Sequence, residues 1–197
     1  MDRRTLIKLF SIATVTALSV RLFLIEDFRI ASNSMFPNLK VGQLIFVSKS
    51  SFSIKVPFSS YEIIKFARPE RSEVVAFHLP QKSNVTHVKR VVAVAGDRVE
   101  IKEGNLYVND QLALIQNVGE ESRNIASAEA DLQMEKLGRK QPYWIHLAKV
   151  KASDYGPVDI PPNHFFVLGD NRSDSVDSRS WGPIPYSCLK GKVLVSF

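Results

Sequence analysis

Beyond Ile30 the apolar residues of this 197-residue chain come in short runs separated by turn-forming residues. "QLIFVSK" (43–49), "SEVVAFHL" (72–79), "HFFVLGD" (164–170) and "KGKVLVSF" (190–197) each have the length and β-branched content of one strand. The stretch 84–114 holds several more, broken at Gly96-Asp97 and Gly104-Asn105, with Asn109-Asp110 placed as a hairpin turn. A body built from such pieces is mostly β, because a strand needs only a few residues and a packed helix needs more. One soluble segment is expected to be helical: "ASAEADLQMEKLGRK" (126–140), rich in helix formers and ending near Gly138.

The N-terminus follows another rule. Arg3, Arg4 and Lys8 precede an apolar stretch from Leu9 to Ile25, and Glu26 and Asp27 follow it. As a helix the stretch spans about 25 Å, near the lower limit for crossing a bilayer. Arg21 interrupts it; an arginine costs roughly 2.5–3.5 kcal/mol at a bilayer centre, but near the far end it reaches the interface. Basic residues before the run and acids after it predict a cytoplasmic N-terminus (1–8), a transmembrane anchor (9–25) and an extracytoplasmic body. A cleavable signal peptide is the alternative, and the lack of a clear Ala-x-Ala before the folded part favours the anchor.

The net charge of +6 raises the question of nucleic acid. The basic residues are scattered among acids, with no basic stripe interleaved by aromatics, so the expectation is no nucleic acid and an attraction to anionic lipid headgroups. The single cysteine, Cys188, rules out an intrachain disulfide and a cysteine-based metal cluster. Four dispersed histidines give no metal-ligand spacing, so neither metal nor cofactor is expected.

Three segments carry chemistry. In "ASNSMFPNLKVGQ" (31–43), Pro37 forces Phe36 into an extended conformation and is expected to hold Ser34 in rigid extended backbone. That suits a nucleophile and equally an ordinary linker. In "VTHVKRVVAVAGD" (85–97), strand alternation puts Lys89 opposite Arg90 and on the side of His87 and Val91. Apolar neighbours lower a lysine pKa, and only the neutral amine is a base; an edge-strand lysine in water is the ordinary alternative. In "GDNRSDSVDSRSWGPIP" (169–185), charges alternate in sign over ten residues, a loop able to satisfy its own charges. Its acids lack the sixth-position Gly and twelfth-position Glu of an EF-hand.

Together these stretches resemble the boxes of type I signal peptidases, membrane-bound proteases with a Ser-Lys dyad. "SNSMFPNL" is similar to S-x-S-M-x-P-T-L, "KRVVAVAGD" to K-R-V-V-G-x-P-G-D, and the third stretch to G-D-N-R-x-x-S-x-D-S-R-x-W-G-x-V-P, in the same order. The resemblance implies an antiparallel β-sheet catalytic fold (26–103 and 156–197) with a smaller inserted region (104–155). It also implies that Ser34 is the nucleophile and Lys89 its general base. On the same footing Ser32, with the backbone N–H of Ser34, forms the oxyanion hole, and Ser175 orients the lysine. Arg90, Asp170, Arg172, Asp177 and Arg179 then buttress the site through ion pairs. Phe28, Ile30, Met35, Leu39, Ile45 and Val88 line the substrate pockets. Signal-peptide-bearing preproteins and the lipid bilayer are the implied partners.

Asn38 stands where the boxes have Thr, Gln43 where an Asp follows Gly42, and Ala93 and Ala95 where the lysine box has Gly and Pro. His87 is the rival base, lying on the same face as Lys89. Rival functions are a specialised relative with few substrates, such as a conjugative-transfer or organelle inner-membrane peptidase, a self-cleaving repressor-type protease, and an inactive membrane-anchored β-domain. Ser34 lies nine residues past the apolar run, at most roughly 30 Å if extended, so a nucleophile there works near the bilayer surface.

Overall fold

A computed structural model describes residues 2–55, 62–65, 67–117, 130–148 and 154–196. Helix α1 (Arg3–Phe23) leads into β1 (Ile25–Arg29). Ile25 therefore opens a strand, and the helix covers an earlier window than 9–25. Leu6, Ile7, Leu9, Phe10, Ile12 and Val15 of α1 are all exposed, on every side of the helix. Among the described residues no helix is long and apolar enough to cross a membrane.

The body is antiparallel β. A seven-stranded sheet runs in the order β1, β2 (Leu44–Ser48), β16 (Leu189–Ser196), β5 (Val74–Leu79), β6 (Lys82–Val94), β14 (His164–Leu168), β15 (Ile184–Pro185). A four-stranded sheet orders β13 (Tyr155–Asp159), β7 (Arg98–Lys102), β8 (Asn105–Val108) and β9 (Gln111–Leu112). A three-stranded sheet sets β11 (Ala130–Lys136) between β10 (Leu114–Asn117) and β12 (Tyr143–Ala148), and β3 (Ser53–Lys55) pairs with β4 (Glu62–Lys65). The Asn109-Asp110 turn joins β8 to β9, with φ of 54° and 60°, the left-handed pair that a two-residue hairpin requires.

The helix expected over 126–140 is a strand over its described part, residues 130–136; 126–129 lie outside the described residues. Two paired neighbours, β10 and β12, supply hydrogen bonds on both edges, and this outweighs helix propensity. Glu135, which lies in that segment, is buried at 1% exposure. Beside α1, the described residues hold one short α-helix, α2 (Ser178–Trp181), inside the last box.

Alternation along the strands sorts the core. Val75 and Phe77 of β5, Val91 of β6, and Phe165 and Val167 of β14 fill one cluster. Phe166 and Leu168 point the other way, onto Val92, Val99, Ile101 and Leu106, which joins the large sheet to the four-stranded one. A third cluster, under the β1–β2 loop, gathers Ile30, Met35, Leu39, Ile45, Val47 and Ala76. Gly191 of β16 lets the central strands close up, since a Cβ there would run into the Ser48 carbonyl. That oxygen belongs to a paired strand and has little room to retreat. Gly191→Ala is therefore expected to destabilise the fold by about 1–3 kcal/mol. Urea unfolding measures it, and an unchanged midpoint would contradict this packing.

Candidate active site

Three segments meet at one end of the large sheet. The first is the loop between β1 and β2, closed at its base by Ile30 N–H donating to Gln43 O (2.9 Å) and Gly42 N–H to Ile30 O (2.8 Å). Phe36 is extended as Pro37 requires, but Ser34 is not: Asn33–Met35 form a single 3-10 turn, closed by Phe36 N–H on Asn33 O. The turn, stacked on buried Met35, supplies the rigidity expected from extended backbone. The second segment is β6, carrying Lys89 and Arg90. The third is the loop 169–177 after β14, which passes so close to the first that a Cβ on Gly169 would strike both the Ser175 side chain and the Ser34 carbonyl.

Lys89 Nζ lies 2.5 Å from Ser34 Oγ. Its cross-strand partner is Val75, and the residue is 5% exposed. Burial takes its pKa from 10.5 down to about 8; Asp177 and Asp170 pull upward, and Arg179 pushes down. Neither carboxylate is free to chelate the amine. Arg90 grips Asp170 with two bonds of 2.7 Å, and Arg179 grips Asp177 with two of 2.8 Å. Burial works against the Arg90 charge, but Asp170 outweighs it and raises the Arg90 pKa.

The other expected residues fall as follows. Ser32 Oγ is 3.2 Å from Ser34 Oγ. Ser175 Oγ is buried without a hydrogen-bond partner, beside the Ser34 carbonyl and not joined to Lys89. The last loop satisfies few of its charges internally. Among the described residues Asp177–Arg179 is the one such pair; Asp170 goes to Arg90, and Arg172 makes a two-pronged pair with Glu135 of β11. His87 packs its ring against Trp181 and Phe77, with centroids 5.0 and 5.8 Å away. The six expected pocket residues do come together: Ile30, Met35, Leu39 and Ile45 form the third core cluster, with Phe28 and Val88 against it. They pack on one another, Met35 at 1% and Ile45 at 0% exposure.

Several residues that hold this arrangement have no individual signal in the sequence, although Asn171 stands inside the third box. Asn171 donates its backbone N–H to Ser34 O (3.1 Å) and its side-chain amide to Asn33 O (3.2 Å). His146 of β12 exchanges backbone bonds with the loop, donating to Asp170 O and accepting from Arg172 N–H (both 2.9 Å). Tyr143 donates to Glu135 (2.8 Å), and the Arg90 guanidinium sits 4.0 Å over its ring. Their partners lie 8 to 138 positions away, a relation that no local spacing reveals.

The family model described as "Signal peptidase, peptidase S26" matches residues 3–197. The chain belongs to that family. Signal peptidase I of Pseudomonas aeruginosa is 39% identical over 170 residues, covering 83% of this chain and 58% of the relative. The thylakoidal processing peptidase 1 of Arabidopsis thaliana is 31% identical, covering 93% of this chain and 44% of its own. The chain thus spans less than two thirds of the length of these relatives. A solved signal peptidase I from Enterococcus faecalis matches at 24% identity with a TM-score of 0.40, covering 66% of this chain and 100% of its own.

The depressed lysine pKa is also a statement about stability. As pH falls from 10.5 the unfolded chain takes up the proton first, so the penalty on the native state grows until about pH 8 and is full below it. Its size is roughly 3 kcal/mol, less a discount for residual exposure. Lys89→Met removes the penalty together with a hydrogen bond contributing about 1 kcal/mol. The variant is expected to be more stable than the wild type at pH 6 and to lose that advantage by pH 10.5. Urea midpoints across this range test it; a gap independent of pH would show that Lys89 is not desolvated.

Proposed function

We propose that the protein is a membrane-anchored serine endopeptidase that removes N-terminal signal peptides from exported preproteins, with Ser34 as nucleophile and Lys89 as general base. The observation that carries this reading is the 2.5 Å approach of Lys89 Nζ to Ser34 Oγ, with the amine's pKa near 8. A serine hydroxyl needs a base, and a base works best with a pKa near the working pH. Membership of the peptidase S26 family and identity to signal peptidase I over most of the chain support the substrate class.

In the forward step Lys89 takes the Ser34 hydroxyl proton as Oγ attacks the scissile carbonyl carbon. The tetrahedral oxyanion is met by the Ser34 backbone N–H and the Ser32 hydroxyl, each contributing roughly 2.7–4 kcal/mol by comparison with similar donors. The lysine ammonium passes its proton to the departing amine, leaving an acyl-Ser34 ester. A water, deprotonated by the again neutral Lys89, hydrolyses it. Ser175, whose buried hydroxyl has spare hydrogen-bonding capacity, is the group that orients the amine when substrate closes the site. Phe28, Ile30, Met35, Leu39, Ile45 and Val88 form the apolar bed for the small residues before the cut.

Helix α1 is the anchor in this reading, with residues 1–8 in the cytoplasm and the β body outside. What supports it is a helix about 30 Å long whose large apolar side chains from Leu6 to Val15 are all exposed, among the described residues. The body divides into a catalytic part, 26–103 and 156–197, and an inserted region, 104–155.

The test is cleavage of a panel of precursor proteins by the full chain in detergent micelles. Ser34→Ala and Lys89→Met are each expected to lower the rate by about a thousandfold or more. For the wild type, kcat/KM should rise through about pH 8 as the amine loses its proton. Precursor cleavage unaffected by either substitution, or a rate flat from pH 6 to 9, would overturn the reading.

A further inference from the structure

The Asn38 side chain has two donor hydrogens and spends both. Nδ2 lies 2.7 Å from Trp144 O on β12 and 2.7 Å from Asp170 Oδ2. Both acceptors face the same nitrogen, so the amide orientation is fixed: turned over, its oxygen would meet a carbonyl and a carboxylate. A threonine, which the resembling box carries here, has one hydroxyl hydrogen and can serve only one of these acceptors.

These bonds close a ring around the nucleophile. From Ser34 the chain runs four residues to Asn38, stiffened by Leu39 N–H donating to Met35 O (2.9 Å). The side chain crosses to Asp170, the backbone steps to Asn171, and Asn171 N–H returns to Ser34 O (3.1 Å). Asp170 itself is fully buried and clamped by Arg90, the neighbour of Lys89 on β6. The ring therefore ties the residue that bears the hydroxyl to the strand that bears the amine, and the Trp144 bond fastens both to the three-stranded sheet.

We infer that Asn38 is a positioning residue, which holds Ser34 in register with Lys89 by joining the Ser34 loop to Asp170 and to the β12 edge. The inference rests on the Ser34–Lys89 reading above. It touches the field at the amine as well as the geometry. The charged groups acting on Lys89 are Asp170 and Asp177 from the loop after β14, and Arg179 of α2, with Arg90 bound to Asp170. Without the Asn38 amide, Asp170 is less fully neutralised and its pull on the lysine proton grows.

The experiment compares Asn38→Leu, Asn38→Thr and wild type with Ser34→Ala, as full chains in detergent micelles, cleaving a precursor from pH 6 to 10. Asn38→Leu is expected to lower kcat by about tenfold to a hundredfold with KM changed less than about twofold. Its kcat/KM profile should shift to higher pH. Asn38→Thr, which keeps one donor, should fall between the two and recover part of both effects. If Asn38→Leu lowers the melting temperature but leaves kcat and the pH midpoint at wild-type values below melting, Asn38 is only structural and the inference fails. The same holds if Asn38→Thr is no better than Asn38→Leu. If Ser34→Ala keeps full activity, it is the dyad that fails, a result distinct from both.

Discussion

An amine buried at 5% exposure within bonding distance of a hydroxyl would ordinarily keep its proton by recruiting a carboxylate. Two carboxylates act on Lys89, and both are already taken. Arg90 covers both oxygens of Asp170, Arg179 covers both of Asp177, and each arrangement is planar and two-pronged, a fit that the compact ammonium of lysine cannot match. Desolvation is then opposed only by partly neutralised charges, and it wins. Arg90 and Arg179 thus act on the amine by occupying acceptors that Lys89 would otherwise use. The cost appears as lost stability at neutral pH, in keeping with strain stored at a functional site.

The three-stranded sheet belongs to the same machinery. Glu135 of β11 sits at 1% exposure with Arg172 paired across both its oxygens and Tyr143 donating to one of them. Burial and the Glu135 charge push the Tyr143 pKa well above its ordinary value, so it remains a donor to Glu135. Burial opposes the Arg172 charge, yet Glu135 holds its pKa above the ordinary arginine range. A pair desolvated to this degree does little for net stability, but losing one partner would leave an uncompensated charge. Its effect is to fix register. Arg172 also donates to Gly169 O at 3.1 Å, where the last loop turns past Ser34.

The large sheet was legible because its strands obey a two-residue period and end at turn residues; β2, β5, β14 and β16 fall where "QLIFVSK", "SEVVAFHL", "HFFVLGD" and "KGKVLVSF" stand. The meeting of Ser34 and Lys89 across 55 positions was not legible from spacing; the resemblance of the three boxes proposed it. What escaped were pairings between distant segments. Glu135 lies in the segment expected to be helical, and only the arrival of Arg172, 37 residues later, makes its burial tolerable. Asn38 reads as a neutral exchange for threonine until Asp170, 132 residues away, is placed beside it. The 3-10 turn at Ser34 escaped because Pro37 constrains only its predecessor, leaving the preceding turn to packing by Met35.

The decisive measurement looks at the amine itself. With lysine labelled at Cε and Lys89→Met used to assign its signal, the carbon chemical shift of Lys89 can be followed by NMR from pH 6 to 11 in the full chain. A titration midpoint near pH 8 is expected, where burial places it. A midpoint at the ordinary 10.5 would mean that the amine is solvated or chelated, and the base assigned to Ser34 would be charged at every working pH.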